Sequence, residues 1–158
     1  MPRATLDTPL GPLTLVSDGA ALTSATFAPA RLGLPADTTE ADGVIDAAMA
    51  QLAAYFAGDP VAFDIPVRAG GTPFQERVWA ALREIPHGQT LSYGALADRL
   101  GVPGGAQAVG AANGQNPVAV VVPCHRVVGA DGALVGYAGG LERKRALLDL
   151  ESRQRSLF

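Results

Sequence analysis

One thiol stands in this chain: Cys124, in Pro123-Cys124-His125-Arg126-Val127-Val128-Gly129, with the run Val120-Val121-Val122 before it. Sulfur attacks as the thiolate, and a free cysteine with a pKa of about 8.5 is mostly protonated at neutral pH. His125, next in sequence, can take that proton directly or through a water, and a carboxylate elsewhere can orient the imidazole. The chemistry on offer is nucleophilic attack by sulfur. Pro123 fixes φ just ahead of the thiol and cannot donate a ladder hydrogen bond. The valine run therefore reads as a strand that ends at Pro123 and presents Cys124 at a pocket. A small buried hydrophobe is the other reading of a free cysteine, and a Cys-His pair alone does not decide between them.

The rest of the composition narrows the classes. A single cysteine forms no internal disulfide, so a reducing compartment and a cytoplasmic protein are expected. With two histidines, His87 and His125, and no CxxC or HExxH pattern, no metal site is expected. No apolar run of about 18 residues is present, and Met1-Pro2-Arg3-Ala4-Thr5 lacks a signal core, so no membrane association is expected. Charge is uneven. Residues 1–70 carry three basic and eight acidic groups, whereas residues 71–158 carry nine and seven. A polyanion would bind the second part, and eleven of the twelve basic residues are Arg, which suits bidentate phosphate contacts.

The elements that must position the thiol follow from local rules. Ala4–Asp7, Leu13–Ser17 and Ala21–Phe27, separated by Thr8-Pro9-Leu10-Gly11-Pro12 and Asp18-Gly19, predict a small antiparallel sheet. Residues 28–42 read as a loop. Gly43–Phe56 has helical spacing and stops at Gly58-Asp59-Pro60. Phe63–Val67 reads as one more strand, and Ala69-Gly70-Gly71 as a linker between domains 1–70 and 71–158. Thr72-Pro73-Phe74-Gln75 is a capping box with proline at the first helical position. Phe74, Val78, Ala81, Leu82 and Ile85 form the apolar face of that helix, which ends at Pro86-His87-Gly88 with His87 solvated. A second helix follows Ser92, with Leu96, Ala97 and Leu100 inward and Gly101 as the stop. After Val102-Pro103-Gly104 comes the helix Gly105–Asn113. Its Ala108, Gly110, Ala111 and Ala112 permit close approach to a DNA groove or to another helix. A helix-turn-helix and an ordinary helical hairpin both fit. A last helix, Leu141–Leu150, places Arg143-Lys144-Arg145 on the side away from Leu147, Leu148 and Leu150.

These residues, taken in order, closely resemble the O6-alkylguanine-DNA alkyltransferases, the methylated-DNA–protein-cysteine methyltransferases. The resemblance spans essentially the whole chain and is strongest from Thr72 to Glu151. It rests on Phe74-Gln75-Glu76-Arg77-Val78-Trp79, Ser92-Tyr93, Val109-Gly110-Ala111-Ala112-Asn113, Asn116-Pro117, Pro123-Cys124-His125-Arg126-Val127, Gly136-Tyr137-Ala138-Gly139-Gly140 and Lys144…Leu147-Leu148…Glu151. It implies an N-terminal α/β domain with a small antiparallel sheet. A helical C-terminal domain, with a winged-helix-like helix-turn-helix, would bind DNA and accept the alkyl group. It also implies repair of O6-alkylguanine, with O4-alkylthymine a further candidate, by base flipping and irreversible transfer to the protein's own cysteine. Each molecule would react once, without a cofactor. The partner implied is double-stranded DNA bound through the minor groove by a protein that is a monomer in solution, with cooperative binding on DNA left open.

The resemblance carries roles residue by residue. Cys124 is the acceptor, His125 takes its proton through a water, and Glu151 holds the imidazole. The sequence itself gives no sign of that contact across 26 residues. Tyr93 donates toward the base and lies at the phosphate beside the flipped nucleotide. The carbonyls of Cys124 and Val127 read the guanine amino group, and Val135 and Tyr137 wall the pocket. Asn116 is a structural hinge that ties the recognition helix to the active-site strand, so alkylation is expected to destabilise the protein. Ala106, Gln107, Ala108 and Gly110 join Tyr93 in facing DNA. Arg126 reads as a structural ion-pair partner and Trp79 as core.

Two positions depart from the family. Gln107 stands where an arginine usually enters the base stack. It lacks the guanidinium's charge and planar surface, so weaker DNA binding and base flipping are expected. Val135 stands where a smaller or more polar residue is common and narrows the pocket entrance. The first 70 residues also lack the Cys and His residues of a zinc site found in some relatives. Three other readings compete: a non-catalytic sensor of alkylation damage, a Cys-His hydrolase, and a transcription regulator built on the helix pair.

Overall fold

A computed structural model of the chain describes residues 2–32 and 42–156. It comprises two compact units, Met1–Ala69 with Pro117–Ala119, and Gly70–Asn116 with Val120–Phe158.

The first unit is a three-stranded antiparallel sheet in the order β1-β2-β3, formed by β1 (Arg3–Thr8), β2 (Gly11–Ser17) and β3 (Leu22–Thr26). Gly11 closes the β1–β2 hairpin at φ 112, a backbone region that only glycine enters cheaply. The Asp18 carboxylate accepts from the Ala20 and Ala21 amides and turns β2 into β3. α1 (Gly43–Phe56) starts at Asp42, whose side chain accepts from the Ile45 amide. Ser17 Oγ donates to the same carboxylate at 2.7 Å, which fixes the helix start to the end of β2. Leu13, Leu15, Leu22, Ile45, Leu52 and Tyr55 are fully buried and form the core of this unit. Phe63–Val67 is not the strand that its composition suggests. Only Val67 bridges to Leu22, because Pro66 has no N–H with which to continue a ladder. Residues 29–32 form a short 3-10 turn, and the rest of the expected 28–42 loop, up to Asp42, lies outside the described residues. Pro117–Ala119 joins the sheet at Ala25, which donates to the Pro117 carbonyl and accepts from the Ala119 amide, both at 2.9 Å.

The second unit is helical. α2 (Pro73–Leu82) carries the expected reciprocal capping box between Thr72 and Gln75. It buries Val78, Trp79 and Leu82, and the Trp79 indole donates to the Ala112 carbonyl at 2.8 Å. His87, in the loop that follows, is not solvated: both ring nitrogens are shielded. β4 (Leu91–Ser92) leads into α3 (Tyr93–Arg99), which Ser92 caps through the Ala95 amide. Gly101, at φ 74, ends the α3 turn, and α4 (Ala106–Gly114) follows. Leu96, Ala97, Val109 and Ala112 are buried among these helices.

Past α4 the structure departs from the sequence reading. Val120-Val121-Val122 is a turn and not a strand. Val120 sits at φ 70, where a β-branched side chain crowds its own backbone at a cost of roughly 1–3 kcal/mol. All three valines are buried, so burial outweighs their preference for extended backbone. The strand comes after the thiol: Cys124–Arg126 is one 3-10 turn, and β5 (Val127–Val128) pairs in parallel with β4. α5 (Leu141–Ser156) runs past the expected Leu150. Its burial also corrects the basic run. Lys144 does not face away from the leucines but is fully buried, as is Leu147, about two turns before Glu151.

Candidate active site

Cys124 opens the 3-10 turn, and the end of α4 holds that turn from behind. Asn116 Nδ2 donates to the Val122 carbonyl at 2.9 Å, and Asn113 Nδ2 to the Cys124 carbonyl at 3.3 Å. The β4–β5 pair registers Ser92 against Val128, so the first residue of α3 is fixed relative to the thiol turn. Gly110 on α4 lies beside Tyr93: a methyl group at its Cα would lie 3.6 Å from the Tyr93 ring, an ordinary van der Waals contact that the helix approach has room for.

Behind the thiol is a buried relay. His125 Nε2 and Glu151 Oε2 are 2.6 Å apart, and both side chains are out of solvent. Arg126 completes the cluster, with Nε on Glu151 Oε1 at 2.8 Å, Nη2 on Oε2 at 3.1 Å, and Nη1 on the Ile85 carbonyl at 2.6 Å. Burial resists ionisation of Glu151, but the hydrogen bonds and charges of His125 and Arg126 hold its carboxyl far below the usual range. An ionised Glu151 accepts a hydrogen bond from the Nε2–H of a neutral imidazole. That leaves Nδ1 as the acceptor, and Nδ1 has no partner among the described residues.

The thiol itself is in its neutral form. Burial pushes its pKa up, opposed by a hydrogen bond from Asn116 and by the Lys144 charge. Burial also lowers the His125 pKa, although Glu151 pulls the other way. The resting pair is therefore thiol and imidazole, with a free basic nitrogen, and not thiolate and imidazolium.

The front of the site is the loop before α5. Lys144 Nζ donates to the Val135 carbonyl at 2.8 Å and to the Gly136 carbonyl at 3.1 Å. The Tyr93 hydroxyl donates to the same Val135 carbonyl at 3.0 Å, and Lys144 Nζ lies 5.9 Å from the Tyr93 ring centroid. Val135 is exposed, Tyr137 is half-buried, and Val127 is buried. On α4, Gln107 and Ala108 are exposed, whereas Ala106 and Gly110 are half-buried.

The structure thus brings together Cys124, His125, Glu151, Arg126 and Asn116 at one turn, with Tyr93 and Val135 joined at a shared carbonyl. Gln107, Ala106 and Ala108 stand apart on the outer side of α4. Sequence reasoning missed Asn113 and Lys144. Asn113 lies one helical turn before Asn116, and Lys144 shares the spacing of Leu147 and Glu151. Either regularity could have pointed to them.

The described residues form a small α/β unit and a helical unit in which one buried cysteine precedes a histidine hydrogen-bonded to a buried glutamate. Residues 73–153 match the 6-O-methylguanine DNA methyltransferase DNA-binding domain, and residues 1–69 match the ribonuclease-like domain of the same family. The chain belongs to the 6-O-methylguanine DNA methyltransferase family. The methylated-DNA–protein-cysteine methyltransferase of Mycobacterium tuberculosis strain H37Rv is 52% identical over 152 residues, covering 93% of this chain and 90% of the relative. That of Methanosarcina acetivorans is 44% identical over 150 residues, covering 94% and 96%. The crystal structure of M. tuberculosis OGT in complex with DNA matches at a TM-score of 0.84 with 48% identity, covering 96% of this chain and 93% of that one.

Proposed function

We propose that this protein repairs O6-alkylguanine in duplex DNA by moving the alkyl group, irreversibly, to its own Cys124. The observation that carries the reading is the buried Glu151–His125 contact, which leaves Nδ1 of the imidazole, on the residue next to Cys124 in sequence, able to accept a proton. In the reaction the thiol proton passes to His125 through a water, and sulfur attacks the alkyl carbon. The carbon–oxygen bond breaks, and the base leaves as the guanine anion. Tyr93 stabilises that anion by turning its hydroxyl from the Val135 carbonyl to the base. Lys144 already serves that carbonyl, so the exchange strands no buried acceptor. Asn113 and Asn116 hold the carbonyls on either side of the sulfur, so the thiol keeps its aim as the proton leaves.

DNA meets the exposed residues of α4, with α3 and α4 acting as a helix-turn-helix in the minor groove. Taking a base out of the stack costs a few kcal/mol. Gln107 fills the vacated place with an amide, which hydrogen-bonds the orphaned partner base but stacks and attracts phosphate less well than a guanidinium. Binding and flipping are the weakened steps, while the pocket chemistry is intact. The complete relay behind Cys124 argues against a non-catalytic damage sensor.

The test is intact-protein mass after incubation with a duplex holding one O6-methylguanine. One methyl group is gained by the protein and by Gln107→Arg, faster in the latter, and none by Cys124→Ala. No gain in any protein that keeps the thiol sinks the transferase reading.

A further inference from the structure

Asn113 lies in the last turn of α4 and is buried, yet only one end of its amide is engaged. Nδ2 donates to the Cys124 carbonyl at 3.3 Å, whereas Oδ1 is shielded from solvent and meets no hydrogen-bond partner among the described residues. Turning the amide over gives no relief, because it sets Oδ1 against the Cys124 carbonyl, acceptor against acceptor. A buried acceptor left without a donor is destabilising, and native proteins rarely keep one without a use. The place of this oxygen follows from its neighbours. It belongs to the same planar amide as Nδ2, so it sits beside the turn that carries the thiol. Gly110, three residues earlier on the same face of α4, lies beside the Tyr93 ring. Asn113 thus stands on the α4 face shared by Tyr93 and the Cys124 turn, where the proposed reaction holds the base. The side-chain donors of this region are engaged elsewhere: Asn116 on the Val122 carbonyl, Lys144 on the Val135 and Gly136 carbonyls, and Tyr93 on Val135. The missing donor comes with the substrate.

We propose that Asn113 Oδ1 accepts a hydrogen bond from the 2-amino group of the flipped base, which makes Asn113 a specificity-determining residue for guanine lesions. Alkylation at O6 removes the N1 hydrogen of guanine, and the 2-amino group is then the only N–H donor of the base. An O4-alkylated thymine has no N–H to offer and leaves the oxygen unpaired. In a site closed to water, both the bond and its absence weigh more than they would in solution. Oδ1 takes the place of the Cys124 carbonyl as a reader of the amino group, since Nδ2 already engages that carbonyl. This inference rests on alkylated guanine being the substrate.

Asn113→Leu and Asn113→Met remove the amide and keep its bulk. Single-turnover methyl transfer is measured from duplexes holding O6-methylguanine or O6-methylhypoxanthine, which differ only in the 2-amino group. Iodoacetamide reactivity of Cys124 and thermal melting are read beside it. The expected result is that the wild-type protein reacts about tenfold faster with the amino-bearing base, and that both variants lose this preference. A loosened thiol turn, which iodoacetamide reports, slows both duplexes alike and leaves their ratio unmoved. No preference in the wild-type protein overturns the proposal, as does a preference that survives in the variants. Binding of the two duplexes to Cys124→Ala, with and without Asn113→Leu, gives the same ratio without transfer. A binding preference that vanishes with Asn113, beside a wild-type protein that gains no methyl group, keeps the reader and discards the transferase reading.

Discussion

At the scale of residues, burial favours the uncharged form of the proposed nucleophile, Cys124. Burial raises the Cys124 pKa and lowers that of His125, so the proton stays on sulfur in the resting protein. Transfer needs the thiolate, and its single-turnover rate is expected to rise with pH through neutrality, levelling only on the alkaline side of the ordinary thiol range of about 8.5. A rate flat from pH 6 to 9 in rapid-quench measurements would contradict a neutral resting thiol. Glu151→Gln keeps the shape but removes the charge. It leaves the Arg126 guanidinium buried without its counter-ion and the imidazole without its orienting acceptor. A loss of 10²-fold or more in transfer is expected, together with a lower melting temperature. Adjacency in the sequence suggested Cys124 and His125 as a pair, and the resemblance supplied the roles proposed for them. Glu151 was not legible in this way, because nothing local distinguishes a carboxylate among arginines from a buried one.

At the scale of elements, α5 serves both sides of the site. One stripe, Lys144, Leu147 and Glu151, is buried, and its two charged ends reach the pocket loop and the relay respectively. Lys144→Met preserves the stem and deletes the donors. Val135 then keeps Tyr93, whereas the Gly136 carbonyl loses the donor that Lys144 supplied. The expected cost is on the order of 1–3 kcal/mol. The pocket loop should exchange its amides faster than α2 or α4, and deuterium exchange read by peptide checks this. Equal exchange in both proteins would mean that Lys144 does not hold the loop. The capping box at Thr72, the Ser92 cap and the Gly101 stop were all visible in sequence, since each is fixed within about four residues. The valine run was misread because side-chain type favours a strand there, while the chain has to turn into the Cys124 loop.

At the scale of the whole molecule, the buried relay ties stability to pH. His125 titrates below its ordinary value of about 6.5 in the folded protein, and Glu151 titrates below its usual 4.3 or so. In both cases the unfolded chain binds the proton first as pH falls. Their contribution to stability is present above about pH 6.5 and is lost progressively below it, the Glu151 share going last. The raised Cys124 pKa has the opposite sense, its share being full below about 8.5 and lost as pH rises. The melting temperature should peak near neutrality and decline on both sides. Calorimetry from pH 4 to 10 checks this, and in Glu151→Gln the acid-side decline should be shallower.

Sequence by itself determined the capping box at Thr72, the Ser92 start and Gly101 stop of α3, and the resemblance that orders the motifs. These depend on residue type and on spacing within a turn or two, where backbone geometry dictates the outcome. Only the tertiary structure decided that Arg126 and His125 both bond Glu151, that Lys144 is buried, that Asn113 holds the Cys124 carbonyl, and that the Tyr137 hydroxyl meets no hydrogen-bond partner among the described residues. Each of these depends on what covers a side chain from another segment. Burial, and the loss of water that gives a charge or a hydroxyl its force, is set by packing across the chain and not by order along it.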